Sequence, residues 1–263
     1  MIVSWKPIAH PLRSVLASLC ILVWPVLWTV GVQAQDTSVA SERYNKCIEL
    51  SQTNPSRSFD DAVAWRDLGG GDAAEHCAAV SLVALELYRA GAERLETLAQ
   101  SSKESIYRRA GLLSQAAQAW SLDGKLERAY ANLTTAIQLA PDIASLFVDR
   151  GAVSAEMGLY AEAVTDLDMA VTLDAGSVDA YLFRASANRY LENYDLALRD
   201  LGAVLNFEPT HLDALLERGI VRRLQGDDNA ARKDWMWVLE LGPDSIAATM
   251  ARRNLELMDV KSD

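Results

Sequence analysis

The fold is decided by two adjacent stretches of equal length. Residues 144–177 read ASLFVDRGAVSAEMGLYAEAVTDLDMAVTLDAGS, and residues 178–211 read VDAYLFRASANRYLENYDLALRDLGAVLNFEPTH. Aligned without a gap, both stretches have a small residue at the eighth and twentieth positions, an Arg at the seventh and an Asp at the twenty-third. Self-similarity at a fixed period of roughly 20 to 50 residues is typical of repeat architectures. The neighbouring residues are therefore expected to contain further copies.

Four copies of this pattern follow one another, over residues 110–143, 144–177, 178–211 and 212–243. Small side chains let two helices approach closely, and Pro stops a helix. Each copy is therefore predicted to form a helix, a short turn and a second helix. The small residues are Ala117, Gly151, Ala185 and Gly219 at the eighth position, and Ala129, Ala163, Ala197 and Ala231 at the twentieth. The thirty-second position has Pro141, Ala175, Pro209 and Pro243.

These positions resemble the tetratricopeptide-repeat family. The family pattern has a large apolar residue at the fourth position, which here is Leu113, Phe147, Tyr181 and Leu215. It has another at the twenty-fourth position, which here is Leu133, Leu167, Leu201 and Trp235. The chain departs from the pattern in having no Trp at the fourth position and Ala175 in place of one Pro. The resemblance implies an all-α solenoid of stacked helix-turn-helix repeats that form a right-handed superhelix.

The flanking residues are expected to extend the solenoid at both ends. Residues 41–102 indicate degenerate helical repeats, in which Asn54-Pro55 separates two helices and Gly69-Gly70-Gly71 ends the first pair. A unit beginning at Asp72 fits the pattern if about four residues are inserted near Gln100 to Ser105. Residues 245–259 predict a capping helix, with Asp244 or Ser245 as its N-cap.

The first 34 residues predict an export signal rather than part of the fold. Lys6 and Arg13 precede an apolar run over residues 15–32, and small residues ending at Ala34 precede a polar segment. This order is typical of a secretory signal cleaved after Ala34. An uncleaved membrane anchor remains an alternative, because the apolar run approaches the ~20 residues that span a bilayer. Membrane association is expected only if this segment is retained, and the mass of the mature protein would separate the two readings.

Either reading places the rest of the chain outside the cytoplasm, where thiols become oxidised. Cys47 and Cys77 are the two cysteines that follow the export segment, so they are predicted to form a disulfide. Two buried thiols that never meet are the alternative. A zinc site has less support: His76 adjoins Cys77, but no second close ligand pair exists. The expected location is the periplasm or the exterior, or the periplasmic face of an inner membrane if the anchor is retained.

Charged residues recur with the repeats. The seventh position has Arg150, Arg184 and Arg218, and the twenty-third has Asp166, Asp200 and Asp234. Both charges are missing together from the first copy, which has Ala116 and Asn132. This coincidence predicts that each Arg pairs with its Asp across the two helices, where a bidentate contact would fix their angle. The alternative is a row of arginines that binds an acidic partner.

The resemblance also implies a binding face. In similar proteins the first helices line a concave groove, and carrying over the groove positions gives Val148, Leu182, Arg189, Tyr190, Leu216, Ile220, Arg223 and Leu224. The Lys and Asn residues that bind a peptide carboxylate in chaperone-binding relatives are missing, which disfavours that mode. The groove is predicted to be mildly apolar with two cationic points and to suit a segment of another protein. Alternatively, Leu182, Leu216 and Ile220 only complete the core.

Other functional classes have little support. The net charge of −11 disfavours nucleic acid, because an acidic surface repels phosphates. With three His in the chain, a nucleophilic triad cannot be assembled, and we expect no cofactor, metal or small-molecule substrate. The expected function is a non-enzymatic protein-interaction scaffold of a bacterial envelope. Alternatives are a membrane-tethered organiser of an envelope complex and an enzyme that acts on cell-wall sugars through paired carboxylates.

Overall fold

The computed structural model describes residues 30–259, and their side chains from residue 40 onward. The part of the predicted export segment at residues 1–29 lies outside the described residues, and the predicted cleavage site after Ala34 falls inside the first helix. The chain divides into two compact units, residues 1–42 and 43–263. The described part of the first unit is helical.

Thirteen α-helices and no strand occur within residues 30–259. The prediction of an all-α helical repeat solenoid is therefore confirmed. The helices are α1 (Val30–Thr53), α2 (Pro55–Asp67), α3 (Gly71–Ala84), α4 (Tyr88–Ser101), α5 (Ile106–Leu122), α6 (Leu126–Leu139), α7 (Ala144–Glu156), α8 (Tyr160–Leu173), α9 (Val178–Tyr190), α10 (Tyr194–Phe207), α11 (Leu212–Leu224), α12 (Asp228–Leu241) and α13 (Ile246–Asp259).

The helices recur with the period of the sequence. The first helices α7, α9 and α11 have 13 residues each, and the second helices α6, α8, α10 and α12 have 14. The helix α5 has 17 residues. The four or so additional residues expected near Gln100 to Ser105 lie at 106–109, where they form an extra turn at the start of α5. The connection at 102–105 is as long as the one at 140–143.

The turn between the two helices of a unit requires a left-handed residue at the fifteenth position. Gly124, Gly158 and Gly226 have φ values of 69°, 78° and 87° there. Glu192 and Glu86 occupy the same position in their units with φ values of 60° and 61°, a region that side chains other than those of Asn and Asp rarely adopt. The repeat geometry therefore imposes this conformation even where the sequence lacks glycine.

The core lies where the two helices of each unit cross. All eight small residues at the eighth and twentieth positions are buried. Contact is so close that a Cβ added to Gly219 would lie 2.3 Å from Nε1 of Trp235, and one added to Gly151 would lie 2.8 Å from Cγ of Leu167. The apolar residues at the twenty-fourth position therefore pack directly on the backbone of the facing helix.

The N-terminal helices are joined covalently to the array. Cys47 of α1 and Cys77 of α3 form a disulfide with their Cα atoms 6.2 Å apart, and both residues are buried. The hydroxyl of Ser58 on α2 donates a hydrogen bond to the Cys47 carbonyl over 2.8 Å. Because the bridge closes a loop of 30 residues, the chain-entropy model assigns it about 3–4 kcal/mol of stabilisation.

The C-terminal helix α13 covers the last repeat. Ser245 is its N-cap, because its Oγ accepts a hydrogen bond from the Ala248 amide over 3.0 Å. Its buried residues join the cluster around Trp235 and Val238 of α12. A terminal repeat would otherwise expose this apolar face to water.

The close crossing of α11 and α12 can be tested with two glycine substitutions. Gly219→Ala should lower the free energy of unfolding by about 1–3 kcal/mol, because the new methyl group overlaps the Trp235 indole. Gly202→Ala is the matched control, because Gly202 lies inside α10 with no atom within 4 Å of an added Cβ. It should raise stability by about 0.5–1 kcal/mol through helix propensity. Urea unfolding followed by circular dichroism measures both changes, and equal effects would contradict the close crossing.

Candidate functional site

Bidentate ion pairs join the two helices of three successive units. Arg150 donates to both carboxylate oxygens of Asp166, with Nε–Oδ2 and Nη2–Oδ1 distances of 2.8 and 2.6 Å. The same atoms of Arg184 bind Asp200 at 2.9 and 2.7 Å. The equivalent pair of the fourth unit is Arg218 and Asp234, at 3.0 and 2.7 Å. All three carboxylates are buried, so the arginines neutralise charges that water does not reach.

In two of the three pairs, the third nitrogen of the arginine binds a residue of the preceding repeat. Nη1 of Arg184 binds Asp168 of α8 at 2.7 Å, and Nη1 of Arg150 binds Thr134 of α6 at 3.2 Å. Such contacts link successive units as well as the two helices of one unit. The hydrogen bonds from Arg184 to the carboxylates of Asp200 and Asp168 raise the pKa of its guanidinium above the ordinary value, although burial opposes the shift.

The first of the four repeats, residues 110–143, has a different polar contact at the positions of the ion pair. Glu96, on α4 of the preceding unit, accepts hydrogen bonds from Nε1 of Trp120 and Nδ2 of Asn132, both at 2.7 Å. Arg128 donates to its other oxygen at 2.8 Å. Glu96 thus provides the charge that Ala116 and Asn132 lack. Sequence comparison within the four copies missed it, because Glu96 belongs to the degenerate unit before them.

A structural role for these pairs predicts a loss of stability without a loss of binding. Arg184→Ala should lower the free energy of unfolding by about 3 kcal/mol, because it leaves the buried Asp200 carboxylate unpaired. Arg199→Ala, which removes an exposed arginine from α10, is the control and should change stability by less than about 0.5 kcal/mol. Thermal unfolding provides the measurement. Partner binding that falls at unchanged stability would instead favour an arginine row that binds an acidic partner.

We define the groove face as the side of α5, α7, α9 and α11 that carries the fifth, sixth, ninth, twelfth and thirteenth positions of each unit. Val148 and Leu216 are 8% and 6% exposed, so these two residues belong to the core. Leu182 and Ile220 are partly buried. The two cationic points expected on this face, Arg189 and Arg223, are engaged within the chain. The predicted groove residues therefore differ widely in what they present to a partner.

Arg189 and Arg223 both have intramolecular partners. Nε of Arg189 donates to the Glu217 carboxylate at 2.5 Å, and its guanidinium lies 4.2 Å from the ring centroid of Tyr190. Nitrogens of Arg223 bind the carbonyl oxygens of Asn254 and Leu257 in α13, at 3.0 and 3.3 Å. The expectation of two cationic points that await a partner is therefore corrected. These contacts could not be predicted from the positions within one repeat, because each joins residues of different helix pairs or of the capping helix.

An exposed row runs along the thirteenth position, at the C-terminal ends of the first helices. Leu122, Tyr190 and Leu224 are 59%, 54% and 51% exposed, and Glu156 is the exposed residue of the second unit. The Tyr190 ring stacks on Tyr160 with 4.4 Å between centroids, which holds it in place. Three large apolar side chains thus recur on one side of the solenoid without serving its core.

A cavity of about 300 Å³ opens on the groove face between α5 and α7. Asp149 lies in it and accepts a hydrogen bond from the Ser114 hydroxyl over 2.8 Å. Burial raises the pKa of the Asp149 carboxyl, as does the negative charge of Asp179, while the Ser114 hydrogen bond opposes these effects. Apolar residues provide the walls and polar residues the rest; the lining is Ser114, Ala117, Gln118, Ser121, Leu122, Leu133, Asp149, Ala152, Val153 and Glu156.

A second cavity, of about 280 Å³, lies at the N-terminal end of the same side, between α1, α3 and α5. His76 bridges its walls: Nδ1 lies 2.8 Å from the Tyr44 hydroxyl and Nε2 lies 2.7 Å from Oε1 of Gln115. Burial lowers the pKa of His76, and the nearby Arg108 lowers it further. Both ring nitrogens are thus used to hold three helices together.

Within residues 30–259, no group of three or more His, Cys, Asp or Glu side chains is arranged to hold a metal ion. No helix in the same part of the chain is long and apolar enough to cross a membrane.

No protein-family model matches the sequence, and comparison with curated proteins finds no match. Solved structures do match. PilF of Pseudomonas aeruginosa is 17% identical with a TM-score of 0.62, over 82% of this chain and 99% of that one. YrrB, described as a TPR protein with an unusual peptide-binding site, is 17% identical with a TM-score of 0.55, over 74% and 97%. MamA from Desulfovibrio magneticus RS-1 is 18% identical with a TM-score of 0.57, over 71% and 98%. The chain thus has the tetratricopeptide-repeat fold.

Proposed function

We propose that this protein is a non-enzymatic scaffold that binds a segment of another protein on its groove face. The exposed row of Leu122, Tyr190 and Leu224 carries the proposal. Large apolar side chains that are more than half exposed, aligned and not required by the core are typical of protein-interaction surfaces. Tyr is also among the residues that contribute most to binding at interfaces.

The spacing of the row favours an extended partner. Packed helices lie about 8–10 Å apart, so adjacent units present the thirteenth position at about that interval. An extended chain advances about 3.3 Å per residue. A partner segment would therefore place one contact side chain on each unit about every third residue. The likeness in fold to YrrB, which is described as having a peptide-binding site, supports this mode.

Site-specific crosslinking in the native compartment tests the proposed binding face. A photoreactive p-benzoylphenylalanine in place of Ser186, on the groove face of α9, should capture a discrete partner. The same residue in place of Ala161, an exposed position on α8, is the control and should capture little. Mass spectrometry then identifies the captured protein. Equal capture at both positions, or capture from α8 alone, would contradict binding on the groove face.

We also propose that the scaffold works outside the cytoplasm, in a bacterial envelope. The basic and then apolar N-terminal sequence supports export, and the disulfide between Cys47 and Cys77 suits an oxidising compartment. The alternative is an envelope scaffold tethered by a retained N-terminal segment. Both versions place the groove face outside the cytoplasm.

Mass spectrometry of the native protein tests export. We expect a mature chain that begins at Gln35 and does not react with a thiol reagent until it is reduced. A full-length chain in the membrane fraction would favour the tethered version. A full-length chain in the cytosol with two reactive thiols after Ala34 would contradict export in both versions.

The carboxylates Asp149 and Asp179 are the feature that an enzyme acting on sugars would require. Asp149 has a raised pKa, and Asp179 contributes to that shift. We assign Asp149 to binding, because its cavity is walled by Ala117, Leu133 and Val153, which suit the aliphatic stem of a side chain better than a sugar, and Asp179 does not line this cavity. Asp149 is also engaged by the Ser114 hydroxyl.

A further inference from the structure

We propose that the cavity between α5 and α7 binds a lysine or arginine side chain of the partner segment. This inference rests on the proposed function and names the chemistry that the groove recognises. The repeat itself supplies the argument: of the places where the twelfth position of one repeat meets the sixth position of the next, two have an acid at the sixth position, and they differ at the twelfth.

The filled version of the site lies between α9 and α11. Arg189 is the twelfth residue of its unit, and Glu217 is the sixth residue of the next. Their ion pair spans adjacent first helices, and both side chains are largely buried, with exposures of 17% and 12%. The fold therefore accommodates a guanidinium at this location and pairs it with a carboxylate at the sixth position.

The empty version lies 68 residues earlier, between α5 and α7. Asp149 occupies the place of Glu217, but Ser121 occupies the place of Arg189. Replacing a long cationic side chain with a hydroxymethyl group leaves a space, and the cavity of about 300 Å³ lies there with both residues in its lining. The acid is thus retained while its internal cation is missing.

The cavity contains polar groups that lack a cationic or a hydrogen-bond partner within the described residues, and a cation that also donates hydrogen bonds would satisfy them. Among residues 40–259, no Lys or Arg forms an ion pair with Asp149 or with Glu156 at the rim. The Ser121 oxygen is buried and has no hydrogen-bond partner in the same range. Burial raises the pKa of the Asp149 carboxyl, which means that its charge lacks the stabilisation an adjacent cation would provide.

The walls of the cavity suit the rest of such a side chain. Ala117, Leu133 and Val153 provide apolar walls in the same cavity as Asp149. Lys and Arg bury their aliphatic stems against apolar surface while their charged ends reach polar groups. The exposed row indicates which residues would flank the basic residue of the partner. Leu122 lies in the repeat before that of Glu156, and Tyr190 lies in the repeat after it. The partner is therefore an extended segment with a basic residue and an apolar residue about three positions to either side.

Peptide selection followed by variants tests this inference. A random dodecapeptide phage library selected on the wild-type protein should yield peptides that share one Lys or Arg flanked by apolar residues. Fluorescence anisotropy then compares a selected peptide with its analogue carrying norleucine at the basic position, which keeps the stem and removes the charge. We expect the analogue to bind at least about tenfold more weakly.

The protein variants separate charge from shape. Ser121→Arg should supply the missing cation from within, as Arg189 does for Glu217, and weaken the selected peptide at least about tenfold without lowering the melting temperature. Asp149→Asn, which keeps the Ser114 hydrogen bond and removes the charge, should weaken it similarly. Glu240→Gln, an exposed change on α12, is the matched charge control and should leave affinity unchanged.

Each outcome bears on one of the two proposals or on both. The selected peptides could bind the groove face without a basic residue, with affinities that neither Ser121→Arg nor Asp149→Asn changes. That result would overturn the cation pocket but not the scaffold proposal. Peptides whose affinity is not reduced by substitutions anywhere on the groove face would contradict both proposals. The absence of any selected peptide would overturn the cation pocket, while crosslinking at Ser186 still tests the scaffold.

Discussion

The structure depends on the close approach of two helices within each unit. At the crossing, Gly or Ala on the first helix meets Ala on the second, so that Leu167 or Trp235 can pack directly on the opposing backbone. Short helices of 13 or 14 residues are marginal by themselves in water. Each pair therefore depends on its neighbours to bury its remaining apolar surface, and the disulfide and α13 serve the units that lack a neighbour.

Periodicity was enough to predict the fold because the close crossing constrains the same positions in every unit. The first helices α7, α9 and α11 begin at Ala144, Val178 and Leu212, 34 residues apart. The extra turn of α5 was not predicted at its observed place. Pattern matching detects a change of spacing but not whether the added residues extend a helix or a loop. Glu192 shows a related limit, because its left-handed backbone is imposed by its neighbours.

The candidate site was only partly predictable for a physical reason. Pattern positions indicate which side chains point toward the groove face, but they do not show which contacts those side chains make with other units. Arg189 and Arg223 lie on that face, yet Glu217 and the carbonyl oxygens of α13 engage them. The cavity beside Asp149 could not be predicted because it depends on a contact that is missing. It emerges only when Ser121 is compared with Arg189 two units later, in a structure that shows what Arg189 binds.

The disulfide between α1 and α3 has a mechanical consequence. A pull applied to α1 from the N-terminal side would pass through the covalent bridge straight into α3, bypassing α2 and the turns around it. The first helix pair would then resist peeling until the stack beyond it gave way.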